Sequence, residues 1–143
     1  MLVLIALIYA MFASIAAAFL TGGQVLSLVA AALSAFLGFM AIAKIRLPAD
    51  LNTLPARSVF RGAATVLVAH VLYGPTVRLI SVSLGERTWS GMFDELYAWG
   101  AGSLGSLFFG FIVTVPIGII AGFASEWAVH GLTRSRSDSL FGQ

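Results

Sequence analysis

The chain contains no cysteine. That excludes a disulfide framework, a thiolate metal site and a cysteine nucleophile. Charge is the second shortage. Charged residues make up 10% of the sequence, where soluble domains carry roughly a quarter. Hydrophobic residues make up 59% of the 143 positions, so too little polar material remains to cover a water-soluble fold. The solvent this composition fits is lipid. The small basic excess, a formal charge of +2, lies between apolar runs, where membrane topology accounts for it and nucleic-acid binding is not implied. Residues 1–20 hold no Lys or Arg, so the positively charged start of a cleaved signal peptide is missing. The first run is expected to stay as a helix.

Four apolar runs follow one another. The first two, Leu2–Leu20 and Val25–Ala43, contain no charged residue and approach the ~20 residues that cross a bilayer core. Thr21-Gly22-Gly23-Gln24 joins them, and its glycines permit the φ > 0 conformations of a tight helical turn. Lys44 to Arg61 reads as a polar loop interrupted by Pro48 and Pro55. The third run covers Gly62 to Val82 and contains His70, Pro75 and Arg78. Apolar and aromatic residues at 89, 92, 93, 96, 97 and 99 are interleaved with Asp94 and Glu95, which predicts a short helix over Trp89–Trp99 at the membrane interface. The fourth run spans Gly102 to Val129, with Pro116 inside it. The expected fold is therefore all-α and polytopic, with two transmembrane hairpins plus the interfacial helix. Residues 1–132 form one transmembrane domain, and 133–143 a polar, disordered cytoplasmic tail.

Basic residues orient these helices. Lys44, Arg46, Arg57, Arg61, Arg134 and Arg136 fall on one side, and Arg78 and Arg87 on the other. The positive-inside rule then predicts a multi-pass protein of the plasma or inner membrane with both termini in the cytoplasm.

Helix 4 carries small residues at every fourth position: Gly102, Ser106, Gly110, Thr114, Gly118 and Gly122. Such rows let helix backbones approach closely in lipid. Each step of four residues turns ~40° past a full circle, so the two ends of the row are expected to meet different neighbours. Helix 1 offers Ala6, Ala10, Ser14, Ala18 and Gly22, and helix 2 offers Ala30, Ser34 and Gly38.

Four polar residues are candidates for a membrane-embedded role. His70 is expected near mid-membrane, where it must face protein or water. Pro75 cannot donate to the carbonyl of Val71, so that oxygen also needs a partner. Arg78 lies close enough to the far interface to snorkel. Glu126 and His130, one turn apart at the cytoplasmic end, can hydrogen-bond or pair, as an interfacial polar cap or as a proton-accepting pair at a cavity mouth. The two histidines differ in depth, which argues against an internal bis-His haem. No metal cluster, phosphate-binding glycine loop or Ser–His–acid set is seen, so neither a cofactor nor an enzymatic activity is expected.

In helix count alone the chain resembles small multidrug transporters and dual-topology fluoride channels. Helix 1 has no charged residue, so the embedded Glu of the former has no counterpart and no residues carry over. The expected function is a non-enzymatic accessory or assembly subunit, packed in the bilayer against itself or another membrane protein. The alternative is a small oligomeric transporter or channel with His70, Arg78 and Glu126 lining its path. A holin-like permeabilising protein comes third.

Overall fold

The computed structural model describes residues 1–45 and 53–141, with side chains except at Leu54 and beyond Val129. Four α-helices make up the fold: α1 (Leu2–Thr21), α2 (Val25–Ile42), α3 (Leu54–Ser83) and α4 (Met92–Phe141). All four are long and apolar enough to cross a membrane. The turn between α1 and α2 forms as expected, with Gly22 at φ 65° and Gly23 at φ 82°.

Three boundaries differ from the sequence expectation. Helix α3 begins at Leu54, so Arg57 and Arg61 sit on a helix and not in a loop. Pro55 occupies the first helical turn, where its missing N–H costs nothing. Residues 92–99 are the first two turns of α4 and not a separate surface helix. The helical backbone also continues through 133–141, where a disordered tail was expected. No Pro or Gly interrupts 132–141, so nothing there breaks the hydrogen-bond ladder. Arg46, Pro48 and Asp50 lie outside the described residues, as do the side chains of His130, Arg134 and Arg136.

The helices form a ring. Each packs against its sequence neighbours and α1 also meets α4, while the backbones of the diagonal pairs stay apart among the described residues and the Tyr9 side chain reaches across toward Thr65 of α3. The α3–α4 seam is the most extensive and the α1–α4 seam the thinnest. Small residues fill the inside: Ala6, Ala16, Ala17, Ala30, Ala35 and Ala121 are buried. Tyr9 stacks on Phe39 across α1 and α2, with ring centroids 5.0 Å apart. Large side chains point outward; Phe108, Ile112 and Trp127 are each more than 80% exposed. In water this inside-out arrangement would expose a very large apolar surface. It fits a multi-pass membrane protein.

Candidate functional site

The row on α4 lies against a matching row on α3. Ser58, Gly62, Val66, His70 and Gly74 also recur at spacing four, and the two rows run antiparallel. A Cβ on Gly122 would strike the Ser58 carbonyl, and one on Gly118 the Val66 side chain. A Cβ on Gly62 would strike the Gly118 carbonyl, and one on Gly74 the Trp99 carbonyl. A Cβ on Gly102 would lie 3.0 Å from the Gly74 Cα. One neighbour therefore meets the whole α4 row, contrary to the expectation of two. The reason is that both rows drift around their own helices by the same angle per turn. Two helices that wind about each other can keep such rows together. The expected α2 row is also buried: a Cβ on Gly38 would come 3.1 Å from the Thr65 carbonyl.

Polar side chains interrupt this seam at three levels. At the middle level, His70 Nε2 lies 2.8 Å from Thr114 Oγ1, and Nδ1 lies 3.0 Å from Ser106 Oγ. The Thr114 hydroxyl also reaches the Gly110 carbonyl at 2.9 Å, and the Ser106 hydroxyl the Ser103 carbonyl at 2.9 Å. Two hydroxyls and a neutral imidazole carry three protons for these four contacts. A neutral ring therefore turns one hydroxyl away from its own helix, whereas a protonated ring completes all four. The carbonyl of Val71, left without a backbone donor by Pro75, accepts the Ser103 hydroxyl at 2.7 Å.

At the α1–α2 turn end of the bundle, Arg78 does not snorkel. Its Nη2 donates to Glu95 Oε1 at 2.6 Å and its Nε to Glu95 Oε2 at 2.8 Å. The same Nη2 donates to the Thr88 carbonyl at 2.8 Å. Ser90 adds its backbone N–H and hydroxyl to Glu95 Oε1 at 2.9 and 2.8 Å. A bidentate, charge-assisted pair of this kind is stronger than a free guanidinium at the headgroup level. At the opposite end, Glu126 accepts from Arg57 at 2.9 Å and faces Arg61 at 3.7 Å. Its described partners come from α3; the expected pairing with His130 lies outside the described residues.

Comparison with protein-family models, with curated proteins and with solved structures gives no match.

A cavity of about 300 Å³ opens inside the ring, walled by all four helices. Among the residues lining it are His70, Ser106, Thr114, Ser34 and Thr65, set in a wall of Ala, Gly, Phe and aliphatic side chains. Ser34 and Thr65 are each 1% exposed, and neither side-chain oxygen makes a hydrogen bond of good geometry, with the Tyr9 hydroxyl standing beside Thr65. No Asp, Glu, Lys or Arg is found among the described residues lining this cavity. No group of three or more metal-ligating side chains exists among the described residues.

The three residues expected along a transport path are thus not brought together. His70 lines the cavity, Arg78 is tied to Glu95, and Glu126 is tied to α3. Sequence reasoning missed Glu95 and Arg57 as the charge partners, and Thr65 as a cavity residue. The first two were legible in principle. A lone cation near one helix end, followed by an antiparallel helix with a carboxylate at the same depth, predicts a pair. Thr65 carried no such signal, because its orientation depends on how the ring closes.

Proposed function

We propose that this chain is a non-enzymatic, multi-pass membrane protein that holds a small lipophilic molecule in the core of its bundle. The observation that carries this reading is the pair of buried, unpartnered hydroxyls of Ser34 and Thr65 on the wall of an otherwise apolar cavity. Ligand sites are concave and mostly apolar with a few convergent polar groups, and 300 Å³ is within their usual range. An accessory role alongside itself or another membrane protein would use other surfaces, since α3 already occupies the α4 row. A transport path through a single chain has little support, because its expected polar residues are held apart.

Gly105 provides the test. It lines the cavity, and a Cβ there meets nothing within 4 Å. Gly105→Leu should take up part of the cavity and leave the helices in place. The wild-type chain, purified in mild detergent and extracted, is expected to yield a lipophilic compound in stoichiometric amount by mass spectrometry, and Gly105→Leu to yield none. Identical extracts from both chains would end the proposal.

The proposed orientation places both termini in the cytoplasm, on the strength of the basic residues around Lys44, Arg57 and Arg61. Because the chain has no cysteine, Thr88→Cys should label with an impermeant maleimide in intact cells and Ser137→Cys should not. The reverse pattern would invert the topology.

A further inference from the structure

Building on the core-binding role proposed above, we infer that the bound molecule is an uncharged single-chain amphiphile. It enters sideways between α1 and α4 and sets a hydroxyl- or carbonyl-type end group against Ser34 and Thr65.

Charge is decided by the wall. No charged side chain is found among the described lining residues, and an ionised head group taken out of water without a counter-charge is strongly disfavoured. A fatty carboxylate or a quaternary ammonium is therefore excluded. A wholly apolar guest is also a poor match, because it would leave both hydroxyls unpartnered. Both oxygens are covered in the empty bundle, so each side chain turns about its Cα–Cβ bond to meet the guest; each hydroxyl can then donate one hydrogen bond and accept others, and an alcohol, amide or ester end group completes them. His70 does not compete for this end group, since both its ring nitrogens are already engaged by Ser106 and Thr114.

Shape follows from the depth of the lining. On α1 it extends from Tyr9 to Thr21, ~18 Å at 1.5 Å per residue. A volume of about 300 Å³ drawn out over that length suits one slender chain and not a fused ring system.

The route follows from the seams. The α1–α4 contact is the thinnest in the ring. Leu20 of α1 and Phe109 of α4 line the cavity and yet are 44% and 80% exposed on the outer surface. Residues that face both the cavity and the bilayer mark an opening between the two. Ser34 and Thr65 belong to α2 and α3, on the far side of the ring from that opening. The guest's polar end is therefore set at the α2–α3 wall, and its tail runs along α1 toward the opening beside Leu20 and Phe109.

The test uses the full chain in liposomes with two photo-reactive probes: dodecanol carrying a diazirine in its chain, and the same chain without the hydroxyl. Cross-linked positions are mapped by mass spectrometry. The expected labels fall on cavity-facing residues of α1 and α4, such as Ala16 and Ile117, rather than on outward residues such as Ile112. The alcohol should label these positions roughly three- to tenfold more strongly in the wild type than in Ser34→Ala/Thr65→Val, the range one net hydrogen bond implies. The alkane probe should not distinguish the two chains. Both substitutions remove unpartnered hydroxyls, so they should not impair folding, and thermal melting checks this. If both probes enter equally and ignore the double substitution, the end-group assignment fails while the core-binding role stands. If neither probe labels the cavity, both fail together.

Discussion

The two sides of this bundle are built on different principles. The α3–α4 seam is closed by backbone-to-backbone approach at Gly62–Gly118 and Gly74–Gly102 and is bridged by Arg78–Glu95, His70–Thr114 and Arg57–Glu126. Among the described residues the α1–α2 hairpin has no ion pair to the other helices. The Ser14 and Thr21 hydroxyls of α1 return to its own backbone, and its Tyr9 hydroxyl reaches Ser125 on α4. Its contact with α2 includes the Tyr9–Phe39 stack, and its contact with α4 is thin. Lipid gives apolar helices little reason to associate, so close fit and interhelical hydrogen bonds must supply the attraction. One seam receives most of both, and the opposite side of the ring is left able to part around a guest.

The largest effects should come from closing glycines on the tight seam. Gly62→Leu and Gly118→Leu each place a side chain where the facing helix already stands. Insertion should be normal, because Leu is favourable in a membrane helix. Packing should not survive, with a loss of about 3 kcal/mol or more in unfolding assays, at the upper end of overpacking costs. Gly105→Leu, facing open space, should change stability by less than ~0.5 kcal/mol, as substitutions that disturb no contact do. Equal behaviour of the three variants would erase the contrast between the seam and the cavity.

Next comes the charge pair at the α1–α2 turn end. Arg78→Gln leaves Glu95 with Ser90 as its described donor, and Glu95→Gln leaves the Arg78 guanidinium without a carboxylate. Either change should lower the melting temperature clearly, because one charge is left without its counter-ion. Arg78→Met with Glu95→Leu should recover much of the loss, since it removes both charges together. A double variant as unstable as the sum of the singles would mean that the two residues act independently.

These two sides were not equally legible. Helix number, the Gly22–Gly23 turn and the need for a partner at the Val71 carbonyl follow from local chemistry, and each is found as expected. The small-residue row was visible too, but its partner was not. A row on one helix does not name the helix it meets, and the matching α3 row is diluted by Val66 and His70. Boundaries failed where a residue has two uses. Pro55 breaks a helix in its interior but starts one at its first turn. The cavity was not legible at all, because it is a property of four helices closing into a ring with their diagonal backbones apart.

A smaller effect is expected at His70. Its contacts with Ser106 and Thr114 join α3 to α4, and interhelical hydrogen bonds in membranes contribute modestly. His70→Leu should cost roughly 1–2 kcal/mol, while His70→Gln, which retains a donor and an acceptor, should cost less. If the core-binding role holds, His70→Gln should also keep the bound molecule, because the end group sits at the other wall. Loss of the guest with unchanged thermal stability would move the recognition site from α2–α3 to His70.

The smallest effect has the opposite sign, and it probes the cavity wall directly. Thr65 is 1% exposed, and its hydroxyl makes no hydrogen bond of good geometry, with the Tyr9 hydroxyl as its neighbour. Placing a hydroxyl there removes it from water without replacing the bond it made, which costs on the order of 1–3 kcal/mol. Valine has nearly the same shape and no such requirement. In the empty protein, Thr65→Val should therefore leave packing intact and raise stability by about 1 kcal/mol, read as a higher melting temperature in detergent stripped of lipid. A guest that bonds to Thr65 reverses the balance, because the wild type then gains an interaction that valine cannot make. Adding dodecanol should raise the melting temperature of the wild type more than that of Thr65→Val, since only binding to the folded state stabilises it. The sign of the difference between the two chains should thus change with ligand. A Thr65→Val chain that is less stable both with and without dodecanol would show that the hydroxyl is satisfied within the protein, and the cavity would lose its polar recognition element.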